Sequence, residues 1–206
     1  AKSGREEFLA RFPGAFLLGR FKNSTPQLLF IPAQEGLKVH TGSAEECEQR
    51  FSGKIPGYVY SRYSNPTMDM FEKRMAALEG AEAARSTATG MAAVTTSLMG
   101  LVKAGDHVVA AKALFGSCRW VIEEWLPRFG VSSTLVNGTD LAAWEKATQK
   151  NTTAFFMETP TNPTLEVYDI AAVAGIAHAA GARLVVDNVF ATPLYQSPLT
   201  LGAADV

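Results

Sequence analysis

Asp187 closes the run Leu184, Val185, Val186 in the stretch RLVVDNVF. Apolar residues without alternation read as a strand covered on both faces. A carboxylate at its end needs a partner, because an unpaired buried charge costs roughly several kcal/mol. Four other stretches carry groups suited to an anion or a flat ring. STATGMAAV sets Thr87, Thr89, Gly90 and Met91 at the start of a helix, where free N–H groups and the dipole favour an anion. Gly90 also admits a ligand close to the backbone. YSRYSNP sets Arg62 between Tyr60 and Tyr63, a suitable phosphate clamp. ALFGSCR presents Phe115 at a strand end, where an aromatic can stack on a planar ligand. ETPTNP offers Asn162 as a donor in a loop stiffened by two prolines. Each has a plain alternative: a turn, a surface arginine, a core phenylalanine, a loop asparagine.

Other chemistries of strand-topped sites lack their signatures. No GxGxxG follows a strand, no GxxxxGK[ST] supplies a P-loop, and no GxSxG supplies a nucleophile elbow. His40, His107 and His178 are isolated, with no HExxH, and His107 and His178 read as structural residues. Cys47 and Cys118 are isolated too, with no metal-ligand spacing, and read as free thiols of a reducing cytoplasm. The candidate groups converge on one ligand with an anionic phosphate, a flat ring, and a ring nitrogen that a carboxylate keeps protonated. That describes an electron sink of the pyridoxal phosphate type.

The elements that must position these groups alternate. A helix runs from Pro66 and Thr67 through Met68, Phe71, Met75 and Leu78 and stops at Gly80; a second starts at Gly90. HVVAA (107–111) is a strand, a helix runs from Gly116 to Phe129, and STLV (133–136) is a strand. Asp140 caps LAAWEKAT, TAFFMET (153–159) is a strand, DIAAVAGIAHAAG is a helix ending at Gly181, and RLVVDN is the last strand. This order predicts an α/β fold with βαβ units and a mainly parallel sheet, whose ligands sit beyond the strands' carboxyl ends. The loops ALFGSC, ETPTNP and DNVFATP are therefore the ones to watch. Residues 1–42 keep no period and read as an arm.

The 206 residues are 47% apolar and 19% charged, with net charge −1. No basic run marks nucleic acid or an anionic membrane as a partner. The most apolar stretch, 91–102, is too short to span a bilayer. The opening AKSGREEF carries charges where a secretion signal would place its apolar core.

The motifs YSRYSNPT, LEGAEAARSTATGMAAV, LVKAGDHVVA, ALFGSCR, ETPTNPTLEV and RLVVDNVFATPL occur in order from about residue 43 to the C-terminus. This series resembles the Cys/Met-metabolism family of pyridoxal-phosphate enzymes, of the aspartate-aminotransferase-like fold (fold type I). The resemblance implies a partial cofactor-binding large domain over 43–206, an atypical arm over 1–42, and a C-terminal domain outside this chain. It implies that Gly90 and Met91 give backbone N–H groups to the phosphate of pyridoxal 5'-phosphate. Tyr60 and Arg62 would reach the phosphate held by a neighbouring subunit, in a homodimer or homotetramer with shared sites. Phe115 takes the stacking position, where many members carry Tyr; it can stack but has no phenol to shuttle protons. Asn162 would hydrogen-bond the ring's phenolic oxygen, and Asp187 would pair with the ring nitrogen.

No catalytic residue is assigned. The family's Schiff-base lysine follows the segment matched by Leu201–Val206, so the chain alone is expected not to turn over. Within the family, ALFGSCR and DNVFATPL resemble the members that exchange the succinyl group of O-succinylhomoserine for sulfide. The product is homocysteine for methionine synthesis, and the setting is the cytoplasm. The alternatives are cystathionine γ-synthase chemistry with cysteine as donor, γ-lyase chemistry, and a noncatalytic piece that binds cofactor or a partner subunit.

Overall fold

The computed structural model describes residues 43–59, 63, 65–201 and 204–206. The expected arm over 1–42 and the candidates Tyr60 and Arg62 lie outside the described residues. The chain divides into two compact units between Arg74 and Met75.

In the first unit, helix α1 (Ala44–Phe51) starts where the Ser43 hydroxyl accepts from the Glu46 N–H. Within the helix, Arg50 pairs with Glu46 one turn earlier. Helix α2 (Pro66–Glu79) begins in this unit, with proline at its first position and the Asn65 side chain accepting from the Met68 N–H. Its apolar stripe is open: Phe71 and Leu78 are exposed, whereas Glu72 and Ala76 of the same helix are buried. Helical spacing therefore predicts the helix but not the face it buries.

The second unit holds α3 (Gly90–Leu101), β1 (His107–Ala111), α4 (Gly116–Trp120), β2 (Ser132–Val136), α5 (Leu141–Ala147), β3 (Thr152–Glu158), α6 (Ile170–Ala179), β4 (Arg183–Asp187) and α7 (Thr192–Tyr195). The four strands form one parallel sheet in the order β2-β1-β3-β4. Connections from β1 and β3 thus leave toward opposite edges. The crevice where such a sheet takes a ligand lies between those two strands.

The predicted 116–129 helix changes character along its length. After α4 it widens into a π turn over Val121–Trp125, with the Leu126 N–H donating to the Val121 carbonyl, then tightens to a 3₁₀ turn over Leu126–Phe129. Pro127 is the cause: it has no N–H, and its ring opposes the carbonyl four residues back. Gly130 ends the segment in the left-handed region at φ 74°.

Every residue of β1 is buried, as a strand covered on both faces requires. β4 departs from that expectation, since Arg183 is exposed and Val186 and Asp187 are only half-buried. Beside it, the Asp205 N–H donates to the Leu184 carbonyl and the Val186 N–H to the Val206 carbonyl. On β3 the two phenylalanines face opposite ways. Phe155 stacks on the fully buried Trp144 of α5, with ring centroids 5.8 Å apart. Phe156 faces a cavity beside α3. Helices therefore cover both faces, as in an α/β fold of this class.

Candidate functional site

At the carboxyl ends of β1, β3 and β4 lies a cavity of about 450 Å³. Five of the seven candidates line it: Gly90, Met91, Phe115, Asn162 and Asp187. Each reaches it by local physics. Gly90 and Met91 open α3, where the Thr89 hydroxyl caps the Ala92 N–H at 3.0 Å. The Ala93 N–H reaches the Thr89 carbonyl, so the amides of Gly90 and Met91 precede the helix's own ladder. A Cβ added at Gly90 would meet nothing within 4 Å. Phe115 precedes α4 and is partly exposed, with its backbone turning from the β1 loop into the helix.

Asp187 ends β4. Its Oδ1 accepts the Val189 N–H at 3.1 Å, which turns the chain sharply away from the strand. In the sheet register it pairs with Glu158, just as Val185 pairs with Phe156. Paired positions of a parallel ladder share a face, so the two carboxylates stand side by side at the strand ends. Glu158 is 1% exposed. Burial raises its pKa above the usual carboxylate range, against the pull of the Phe115 and Asn162 backbone amides and with a further push from Asp187.

Sequence reasoning passed over Glu158, although its signal equals that of Asp187: an acid at the end of an apolar strand. It also passed over Cys118 and Asn188, which line the same cavity. Cys118 lies 3.9 Å from the Met91 sulfur, and its thiol is pushed up to about 12 by burial and by the charges of Asp187 and Glu158. That thiol is inert at neutral pH.

The loops around the cavity are wired together. The Phe115 N–H donates to Glu158 Oε2 at 2.7 Å, and the Thr159 N–H donates to the Asp187 carbonyl at 3.2 Å. Gln196 donates to the Thr159 carbonyl and to Asn188 Oδ1, both at 2.8 Å. The walls are apolar, with Val94, Phe156 and Val185 among them, and no lysine lines the cavity among the described residues.

Neither histidine within the described residues lines the cavity. His107 is buried between the hydroxyls of Thr152 and Thr134, at 2.8 and 2.9 Å. His178 meets Asp205, which also takes Arg183 and the Leu184 N–H. No group of His, Cys, Asp and Glu able to hold a metal occurs among the described residues, and no helix there is long and apolar enough to cross a membrane.

Comparison with known proteins gives the same direction. The family model described as Cys/Met metabolism PLP-dependent enzyme matches residues 38–206. The chain is 56% identical over 161 residues to an O-succinylhomoserine sulfhydrylase of Mycobacterium tuberculosis, covering 78% of this chain and 40% of that protein. It is 44% identical over 162 residues to an L-methionine gamma-lyase of Fusobacterium nucleatum, covering 78% and 41%. Among solved structures, a putative O-acetylhomoserine (thiol)-lyase from Campylobacter jejuni, which carries N'-pyridoxyl-lysine-5'-monophosphate, superposes with a TM-score of 0.78. That match has 30% identity and covers 91% of this chain and 46% of the other. The chain spans about 40% of the length of the curated relatives it matches.

Proposed function

The chain belongs to the Cys/Met-metabolism PLP-dependent enzyme family, and from that premise we propose that it supplies the cofactor cradle of an O-succinylhomoserine sulfhydrylase. The reaction would break the bond from the γ-carbon to the succinyloxy oxygen, form a bond from that carbon to sulfide sulfur, and release succinate and homocysteine. One observation carries the site assignment: the register that sets Glu158 and Asp187 side by side also opens them onto the start of α3.

The residues present fit pyridoxal phosphate by their donor chemistry. The amides of Gly90 and Met91 suit a phosphate, and Asp187 suits a protonated ring nitrogen. Phe115 and the apolar walls suit the faces of a ring, and Asn162 suits a ring oxygen. When bound, such a group supplies an electron sink for a substrate carbanion. Asp187 holds a proton on the ring nitrogen by charge pairing, Phe115 limits tilt of the ring, and the apolar walls exclude water. Tyr60 and Arg62 complete the phosphate site from a neighbouring subunit in a homodimer or homotetramer. In this reading 43–206 is one partial cofactor-binding domain, and the covalent step is assigned to no described residue.

Similarity to the lyase favours one rival reading, γ-elimination from methionine. The gene's natural product, supplied separately with O-succinylhomoserine plus sulfide, the same ester plus cysteine, and methionine, distinguishes them. Homocysteine formation with sulfide as the preferred donor supports the proposal. Preferred cystathionine formation, or methanethiol release from methionine without homocysteine formation, rejects it.

A further inference from the structure

Glu158 does more in this site than fill a strand end. It is 1% exposed, it belongs to β3, and its Oε2 accepts the Phe115 N–H across 2.7 Å from the β1–α4 loop. Asn162 lies four residues on, in the β3–α6 loop that leaves the strand at Glu158. Those two loops carry the two candidates that would meet a flat ring from its face and its edge. Asp187, beside Glu158 in the register, comes from a third element. A buried carboxylate is costly unless its oxygens are satisfied. Here the Phe115 N–H satisfies one oxygen, and satisfying the carboxylate pins the β1–α4 loop to the end of β3.

Resting on the cofactor reading above, we infer that Glu158 is a positioning residue, a buried carboxylate that ties the β1–α4 loop to the end of β3, where the β3–α6 loop begins, and so sets Phe115 relative to Asn162 about the cofactor ring. It acts through those two residues, not on the reacting atoms. Glu158→Gln keeps the volume but turns one acceptor oxygen into a donor. The remaining oxygen is an uncharged acceptor, so the bond from the Phe115 N–H loses its charge assistance and holds the β1–α4 loop less firmly.

The test uses the 206-residue chain and pyridoxine 5'-phosphate, which has the ring and phosphate but no aldehyde to form adducts with surface lysines. Binding is followed by titration and by the circular dichroism induced in the ring's absorption band. Glu158→Gln is expected to weaken binding about tenfold and to shrink the induced band. In a Phe115→Ala/Asn162→Ala background, the same change is expected to alter affinity less than about twofold, because the groups it positions are gone.

Unchanged affinity and band in the single variant overturn the inference. So does an undiminished loss in the double-variant background, which would mark Glu158 as generally structural or as a direct contact. Absence of saturable binding by the wild-type chain overturns the cofactor reading itself and takes this inference with it. Should Glu158→Gln not fold, amide hydrogen exchange of the wild-type chain decides. A Phe115 amide protected like the end of β3 supports the tie, and exchange at the rate of a free peptide overturns it.

Discussion

Replacing Gly90 with alanine separates what the helix needs from what a ligand needs. Gly90 is exposed at the first position of α3, and a Cβ there meets nothing within 4 Å. Its φ lies outside the left-handed region, so alanine adopts the backbone without strain. The unfolded chain loses freedom, and the folded chain is expected to gain about 0.4–1 kcal/mol. A ligand phosphate drawn against the Gly90 and Met91 amides would meet the new methyl group. A hydrogen bond to a charged group is worth about 1.5–3 kcal/mol, and 1.4 kcal/mol is tenfold in affinity. Binding of pyridoxine 5'-phosphate should therefore fall about tenfold to a hundredfold while the melting temperature holds or rises. Thermal unfolding and a titration on one preparation give both numbers. Wild-type affinity in Gly90→Ala would refute the close approach, and a marked drop in melting temperature would show that the glycine serves the fold.

Gly138→Ala should have the opposite signature. Its Cβ would fall inside the contact distance of the buried Tyr168 ring, whose backbone is held by the Thr159 hydroxyl at 3.0 Å. Such overpacking costs about 1–3 kcal/mol, so calorimetry should show a melting temperature lowered by several degrees; no change would mean the ring has room. His107 sets an acid sensitivity. Burial lowers its folded pKa, so its contribution to stability is full above the unfolded value of about 6.5 and is lost as pH falls from there through the lower folded value. The wild-type melting temperature should drop between about pH 7 and 5 more steeply than that of His107→Gln; parallel curves would contradict this.

The alternation of elements is legible because local signals carry it. Side-chain oxygens of Thr89, Asp140 and Asp169 cap α3, α5 and α6 where the sequence places helix starts. Strands β1, β3 and β4 appear within a residue of their predicted bounds. Strand order is not legible, because pairing β1 with β3 depends on contacts distant in sequence. The π turn before Pro127 was readable in principle, since a proline deep in a helix must disturb the ladder. Apolar spacing in α2 locates the helix but not its buried face, because spacing alone does not say what covers a stripe.

In the site, Asp187 stood out by ending an apolar run. Glu158 ends a more deeply buried one, but the two prolines and Asn162 that follow it are the stronger local signal in the sequence. Only the register reveals that the two acids are neighbours. Gly90, Met91, Phe115 and Asn162 were each ambiguous alone. Their shared cavity is a tertiary fact, although the parallel-sheet rule had already pointed to these loops.

In the proposed reading the cavity takes a phosphorylated pyridine with Asp187 as partner of its ring nitrogen. Equilibrium titration of the wild-type chain and Asp187→Ala with pyridoxine 5'-phosphate tests it most directly. One saturable site with an induced circular dichroism band is expected, with affinity at least about tenfold weaker in the variant. No saturable binding, or equal affinity in Asp187→Ala, would contradict it.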